Sequence, residues 1–138
     1  MIMELLKERL EKEGCSCVIA KGDTVRCFHQ RGVADLYHLV CNEPDFLNDA
    51  YIADKVVGKA AASLMIRGGI KALYTKTVSE YALNLLKEHE VAVSFDNVVP
   101  NIINRSKTDW CPLEKLCKDE TSIDRMFALI SDFVESKV

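Results

Sequence analysis

The sequence predicts an α/β protein, a three-layer α/β/α domain with a mainly parallel five-stranded sheet and an antiparallel N-terminal hairpin. Two β-prone runs, at 15–20 and 24–29, are joined by a Lys-Gly-Asp connection that suits a tight hairpin. Three further apolar runs, at 51–53, 70–75 and 91–95, alternate with two helical segments. That alternation implies parallel strands with right-handed crossovers, and the first strand is expected to run against the others.

Two helices are predicted around the hairpin. Apolar residues recur at helical spacing from Ile2 to Leu10, and Gly14 can end this first helix. A second helix follows Gly32 and has to end before Pro44, because the residue preceding proline avoids helical angles. The segment EPDFLND after it is expected to be a loop.

The helix after the third strand is the best-defined element. We expect it to span residues 55–67, with Asp54 as its N-cap and Gly68 with Gly69 as its stop. Ser79 is the expected N-cap of the helix that follows the fourth strand.

The C-terminal part is predicted to be a covering loop followed by helices. Residues 96–110 show no sustained period, and their apolar side chains indicate that this loop packs against the domain. A short helix opens at Pro112, and an amphipathic helix begins at about Ser122.

The composition is that of one globular domain. The chain has 138 residues, 49% of them apolar and 28% charged, with a net charge of −3. No basic block is present, which disfavours duplex nucleic acid as a partner. No stretch approaches the roughly 18 apolar residues of a membrane span, and the charged start lacks the apolar centre of a signal peptide. We therefore expect a cytoplasmic protein with reduced cysteines and no membrane partner.

Three short sequence motifs resemble those of a known family: ADKVVGKAAA at 53–62, VPNIINR at 99–105 and CPLEK at 111–115. They resemble those of the small uncharacterised prokaryotic family DUF1893, which is placed in the cytidine-deaminase-like superfamily. The predicted element order is also that of the cytidine-deaminase-like fold. The resemblance covers most of the chain and implies this fold and the location of a pocket, but no settled activity.

The resemblance does not extend to the zinc motif. Cytidine deaminases hold zinc at two helix N-termini, with HxE or CxE on the first helix and PCxxC on the second. Here the segments at the corresponding helix openings are RGVAD at 31–35 and DKVVG at 54–58, which contain neither His nor Cys. Asp35 is at best a shorter substitute for the glutamate. We therefore predict no zinc and no other cofactor.

The first candidate site is an anion site at the opening of the helix over 55–67. Asp54, Lys55 and Gly58 are expected beyond the carboxyl ends of the parallel strands, where helix N–H groups are unpaired. Lys59 lies four residues after Lys55 and is expected to share its helix face. These groups favour a small anionic or nucleotide-like ligand. The competing interpretation makes Asp54 an N-cap, Gly58 a packing contact and both lysines solvated surface residues.

The second candidate is Cys111. Pro112 suits the first position of a helix and places Cys111 at its N-cap, where the helix dipole favours a nucleophilic thiolate. Glu114 fits the reciprocal partner of a capping box, which is the structural interpretation, and it is also a candidate ligand-binding residue.

Four more residues complete the predicted ligand-binding set. Asn104 and Arg105 are expected to reach the pocket if their loop folds back. Arg31 and Gly32 precede Asp35 at the opening of the second helix.

The first functional hypothesis is a protein that binds a small anionic or nucleotide-like metabolite. One alternative is a zinc-independent hydrolase or transferase with Cys111 as nucleophile, or Asp35 or Asp54 as general base. The other alternative is a non-catalytic structural or partner-binding module. The oligomeric state is not predicted.

Overall fold

A computed structural model describes residues 2–30, 33–104 and 107–136. The strands are β1 (Cys17–Lys21), β2 (Thr24–Phe28), β3 (Tyr51–Val57), β4 (Ala72–Ser79) and β5 (Ala92–Val99). The helices are α1 (Ile2–Lys12), α2 (Ala34–Asn42), α3 (Pro44–Leu47), α4 (Lys59–Gly68), α5 (Glu80–Glu88), α6 (Pro112–Cys117) and α7 (Ile123–Glu135). None of these helices is long and apolar enough to cross a membrane.

The strands form one five-stranded sheet in the order β2-β1-β3-β4-β5. β1 pairs antiparallel with both β2 and β3, while β3, β4 and β5 are parallel neighbours. The sheet is therefore mixed, and a mainly parallel sheet is not confirmed. The predicted direction of the first strand is confirmed, because β1 runs against the other four strands. Of its four pairings in the described chain, two are antiparallel, because β1 lies between β2 and β3.

Apolar side chains cover both faces of the sheet, as the alternation along β1 shows. Cys17 and Ile19 belong to the larger apolar cluster, which includes residues of α2, α4, α5 and α7. Val18 and Ala20 belong to a smaller cluster with Leu6 and other residues of α1. Because successive strand residues point to opposite faces, helices pack on both sides of the sheet.

The boundary between β3 and α4 differs from the prediction. β3 continues to Val57, and its register pairs Asp54 with Thr75 and Val56 with Thr77 of β4. The helix begins at Lys59 with Gly58 as its N-cap, so Asp54 is not a helix cap. Two adjacent valines favour extended structure, since their branched side chains fit a pleated surface. This preference extends the strand through residues that the periodicity assigned to the helix.

Two other segments also differ from the prediction. The expected loop EPDFLND contains α3, which has Pro44 at the start of the helix. β5 continues to Val99, so residues 96–99 belong to the sheet and the covering loop begins after them.

Several local signals were predicted correctly. The Ser79 hydroxyl accepts the N–H of Ala82 at 3.1 Å and caps α5. Gly69 follows α4 with a positive φ of 78°, which ends the helix. Pro112 lies in the first turn of α6, with Cys111 at the N-cap, and Ser122 caps α7.

Candidate functional site

One cavity of about 1030 Å³ lies beside the carboxyl end of β3 and the start of β1. Its polar lining includes Ser16, Cys17, His29, Gln30, Asp35, Asp54, Lys55, Asn104, Cys111 and Glu114. Its apolar lining includes Ile19, Phe28, Val33, Leu36, Ile102, Ile103, Leu113 and Phe133. The structure thus gathers seven predicted site residues at one cavity: Asp35, Asp54, Lys55, Gly58, Asn104, Cys111 and Glu114.

Asp54 is the most perturbed acid of the cavity wall. Burial raises the pKa of its carboxyl group to about 7 from an ordinary value of 3.8. Hydrogen bonding from the Val56 N–H and from Cys17 opposes this shift but does not cancel it. The carboxyl group therefore changes its charge near neutral pH, where a general base or a pH-dependent ligand contact is most effective.

Cys17 lies beside Asp54 because the antiparallel register of β1 and β3 pairs these two residues. Burial raises the pKa of the Cys17 thiol well above its usual range, and the nearby acids Asp54 and Asp35 raise it further. The thiol therefore stays protonated at neutral pH and can donate a hydrogen bond to a carboxylate. Cys17 acts here as a polar neighbour of Asp54 rather than as a nucleophile.

Lys55 and Lys59 do not share a face, which corrects the predicted lysine pair. Lys55 is an exposed residue of β3 and lines the cavity. Lys59 is 8% exposed, and its Nζ donates to the carbonyl oxygens of Lys118 at 2.9 Å and Glu120 at 2.6 Å. The Lys59 side chain therefore stabilises the end of α6, and of these two lysines only Lys55 lines the cavity.

Glu114 holds the cavity wall together. Its side chain is 1% exposed, and Oε1 accepts the Lys59 N–H at 2.7 Å and the Ser79 hydroxyl at 3.1 Å. Oε2 accepts the Ile102 N–H at 2.6 Å. Three segments, at the starts of α4 and α5 and in the loop after β5, are thereby tied to α6. The predicted capping box with Cys111 is wrong, because the carboxylate is committed to these donors.

The N-terminus of α4 is thus partly occupied by a carboxylate from the chain itself. A β-carbon on Gly58 would lie 3.2 Å from Oε1 of Glu114, so glycine permits this close approach. The N–H groups of Ala60 and Ala61, whose residues line the cavity, form no hydrogen bond with the described residues. Two backbone donors of α4 are therefore left for a ligand.

Cys111 and Asn104 also line the cavity. Cys111 is half-buried, and no side-chain hydrogen bond links it to the start of α6. The Cys111 N–H donates to the Ile102 carbonyl at 2.8 Å, which holds the loop after β5 against α6. Asn104 accepts the Thr108 N–H through its side chain at 3.1 Å. The described part of the loop thus folds back toward the cavity, which is the condition under which Asn104 was expected to reach it.

Three predicted ligand-binding residues, Arg31, Gly32 and Arg105, lie outside the described residues. Within residues 2–30, 33–104 and 107–136, no three His, Cys, Asp or Glu side chains form a group that could hold a metal ion.

Sequence analysis did not identify Cys17, Ser16 or His29 as site residues. All three line the cavity because β1 lies next to β3 and the end of β2 pairs with the start of β1. The strand order and register that bring them there are not encoded in any local spacing. A polar Ser between two cysteines at the start of an apolar strand was the available signal.

The comparisons with known proteins agree with this fold. The sequence profile of one family, described as a domain of unknown function (DUF1893), matches residues 5–134. The chain belongs to this family. No curated protein is similar enough to the chain to be matched to it.

A solved structure supports the fold independently. The chain is similar to a DUF1893 family protein from Thermotoga maritima, known from a crystal structure, with a TM-score of 0.86 and 23% sequence identity. The match covers 94% of this chain and 88% of that protein. At this identity the similarity establishes a common DUF1893 fold, and the ligand and chemistry have to be argued from the cavity.

Proposed function

We propose that this DUF1893 protein binds a small anionic or nucleotide-like metabolite in the cavity beside β3. The observation that carries the proposal is the convergence of acid, ammonium, amide and thiol groups on one cavity of about 1030 Å³ with an extensive apolar lining. Small-molecule sites combine such a concave apolar surface with a few oriented polar groups. The cavity also adjoins the carboxyl end of a parallel strand, where α/β proteins bind ligands.

The anionic group of the ligand would lie between Lys55 and the start of α4. No ion pair joins Lys55 to another described residue, and the Ala60 and Ala61 N–H groups are available. Asp54 opposes an anion when it is ionised, but its raised pKa keeps a large part of it neutral at pH 7. Apolar rings or chains of the ligand would contact Phe28 and Ile103.

A thermal-shift screen with nucleosides, nucleotides, sugar phosphates and carboxylic acids tests this proposal. We expect at least one anionic class to raise the melting temperature, and Lys55→Met to reduce that gain strongly. Lys76→Met is the matched control, since Lys76 is an exposed lysine of β4 outside the cavity lining. An equal gain in both variants, or no gain with any class, would contradict the proposal.

Catalysis is a second candidate function, and the pKa of about 7 for Asp54 favours it. A carboxyl group with this pKa can accept a proton at neutral pH, and the Cys111 thiol lines the same cavity. Incubation of each bound compound with the protein, followed by mass spectrometry, separates an enzyme from a binder. Turnover that is lost in Asp54→Asn or Cys111→Ser would establish the enzyme, and unchanged compounds would exclude it for that panel.

We also propose that the domain is a cytoplasmic relative of the cytidine deaminases with a three-layer arrangement. Support comes from the order of helix, hairpin and alternating strands, and from the position of the cavity at the start of α4. In this chain α4 begins with Lys59 and a run of alanines, so the relationship does not bring the zinc chemistry with it.

A further inference from the structure

β5 is an open edge of the sheet. It pairs with β4 on one side, and the described residues provide no strand on the other side. Six of its eight residues are exposed, and no backbone hydrogen bond from the described part of the loops reaches it. One row of its N–H and C=O groups is therefore available to a further strand.

The opposite edge of the sheet is protected in a way that β5 is not. β2 has five residues, and its Arg26 forms an ion pair with Glu43 at 3.0 Å. β5 has eight residues and contains no lysine, arginine, proline or glycine. Its one charged residue, Asp96, accepts the Tyr74 hydroxyl at 2.7 Å and is held against β4. Natural edges usually carry charge, proline or short strands to prevent pairing, so the composition of β5 favours a partner strand.

We propose that β5 pairs antiparallel with β5 of a second copy of this chain, with Phe95 on the two-fold axis. In this register Phe95, which is 38% exposed, lies opposite the partner's Phe95, and Ser94 lies opposite the partner's Asp96. The two rings cover each other, and each Ser94 hydroxyl donates to a carboxylate. Because Asp96 uses Oδ2 for Tyr74, its other oxygen can accept this bond.

The symmetry of an antiparallel ladder selects this register. Residues that lie directly opposite each other in an antiparallel ladder point to the same face of the sheet. A two-fold axis perpendicular to the sheet therefore passes midway between one residue and its own copy. An axis at Asp96 would oppose two carboxylates. An axis at Ser94 or Asn97 would place Asp96 opposite Ala92 or Val98, which offer no side-chain donor. In the Phe95 register each Asp96 carboxylate lies opposite a Ser94 hydroxyl, which can donate a hydrogen bond to it.

The mass of the protein in solution tests the proposal. Light scattering over about a hundredfold range of concentration should give a mass that rises from 15.5 kDa toward twice that value. Phe95→Lys should remain a monomer at every concentration. Leu5→Lys is the matched control on α1, where Leu5 is 51% exposed, and it should dimerise like the natural chain. Circular dichroism confirms that each variant is folded.

Two substitutions at an exposed edge position test the register itself. Ser94→Asp places two like-charged pairs across the interface and should weaken dimerisation at least about tenfold. Ser94→Lys faces the partner's Asp96 and should keep the dimer, although an edge lysine would disrupt a pairing without this register. A natural chain that stays at 15.5 kDa throughout, or equal effects of the two substitutions, would overturn the proposal.

Discussion

Asp54 makes stability depend on pH because burial raises its pKa to about 7 in the folded protein, against 3.8 as its ordinary value. Between these values the folded state binds the proton more tightly, so the free energy of unfolding falls as pH rises through that window. Asp54→Asn removes the ionisation. We expect the variant to gain about 2 to 4 kcal/mol relative to the natural chain between pH 4 and pH 8.

Denaturant unfolding at several pH values measures this difference. Asp23→Asn, in the exposed turn between β1 and β2, is the matched control. Its free energy of unfolding should follow that of the natural chain at every pH. If the free energy of unfolding changed with pH in the same way for the natural chain and Asp54→Asn, the raised pKa of Asp54 would be contradicted.

The same residue sets the pH dependence of ligand binding. An anionic ligand beside Asp54 should bind more tightly below pH 7 than above it, because protonation removes the repulsion. Calorimetry with a ligand that does not itself titrate in this range, such as a sulfonate or a phosphodiester, measures the effect. Asp54→Asn should remove the pH dependence, and a persistent dependence would assign it to another group.

Glu114 determines the stability of the cavity wall. Glu114→Ala leaves the N–H groups of Lys59 and Ile102 and the Ser79 hydroxyl without their acceptor. We expect a loss of about 3 to 5 kcal/mol, since buried donors then lack partners. Thermal or denaturant unfolding measures this loss. Glu80→Ala, which removes an exposed acid in the first turn of α5, is the control and should change the free energy of unfolding only slightly. Similar losses in the two variants would contradict this assignment.

At the scale of elements, Lys55 and Lys59 have different roles because Lys55 belongs to the strand β3 and Lys59 to the helix α4. Lys59→Met keeps the apolar stem but loses two hydrogen bonds to carbonyls after α6, and it should destabilise the protein by about 1 to 3 kcal/mol. Lys55→Met should leave stability unchanged and weaken anion binding. Melting and ligand titration of both variants should therefore give opposite patterns. Weakened binding in Lys59→Met alone would show that the anion site lies elsewhere.

The contrast between local and long-range features explains which elements were predictable. Ser79 and Gly69 act within one turn of their helices, so residue type and position were sufficient to predict their roles. Asp54 suits both a helix cap and a strand, and its pairing with β4 decides between them. Glu114 satisfies a capping-box spacing but binds donors 12 to 55 residues away, which no local pattern reveals.

At the scale of the whole molecule, a mixed sheet brings segments distant in sequence to one cavity. The antiparallel register of β1 places Cys17 beside Asp54, and the loop after β5 brings Asn104 to the same lining. Apart from α3, the element order was predictable from hydrophobic periodicity. The sheet order and the exact partners of each side chain depend on tertiary packing, which a single sequence does not specify.

Backbone amide spectra recorded during titration with nucleotides and sugar phosphates test the central claim most directly. The account predicts saturable shifts that cluster at Lys55, Ala60, Ala61 and the loop at 102–104, because these groups line the cavity. Lys55→Met should weaken the shifts, and Lys76→Met should not. Shifts confined to another surface, or none with any ligand class, would contradict a metabolite site in this cavity.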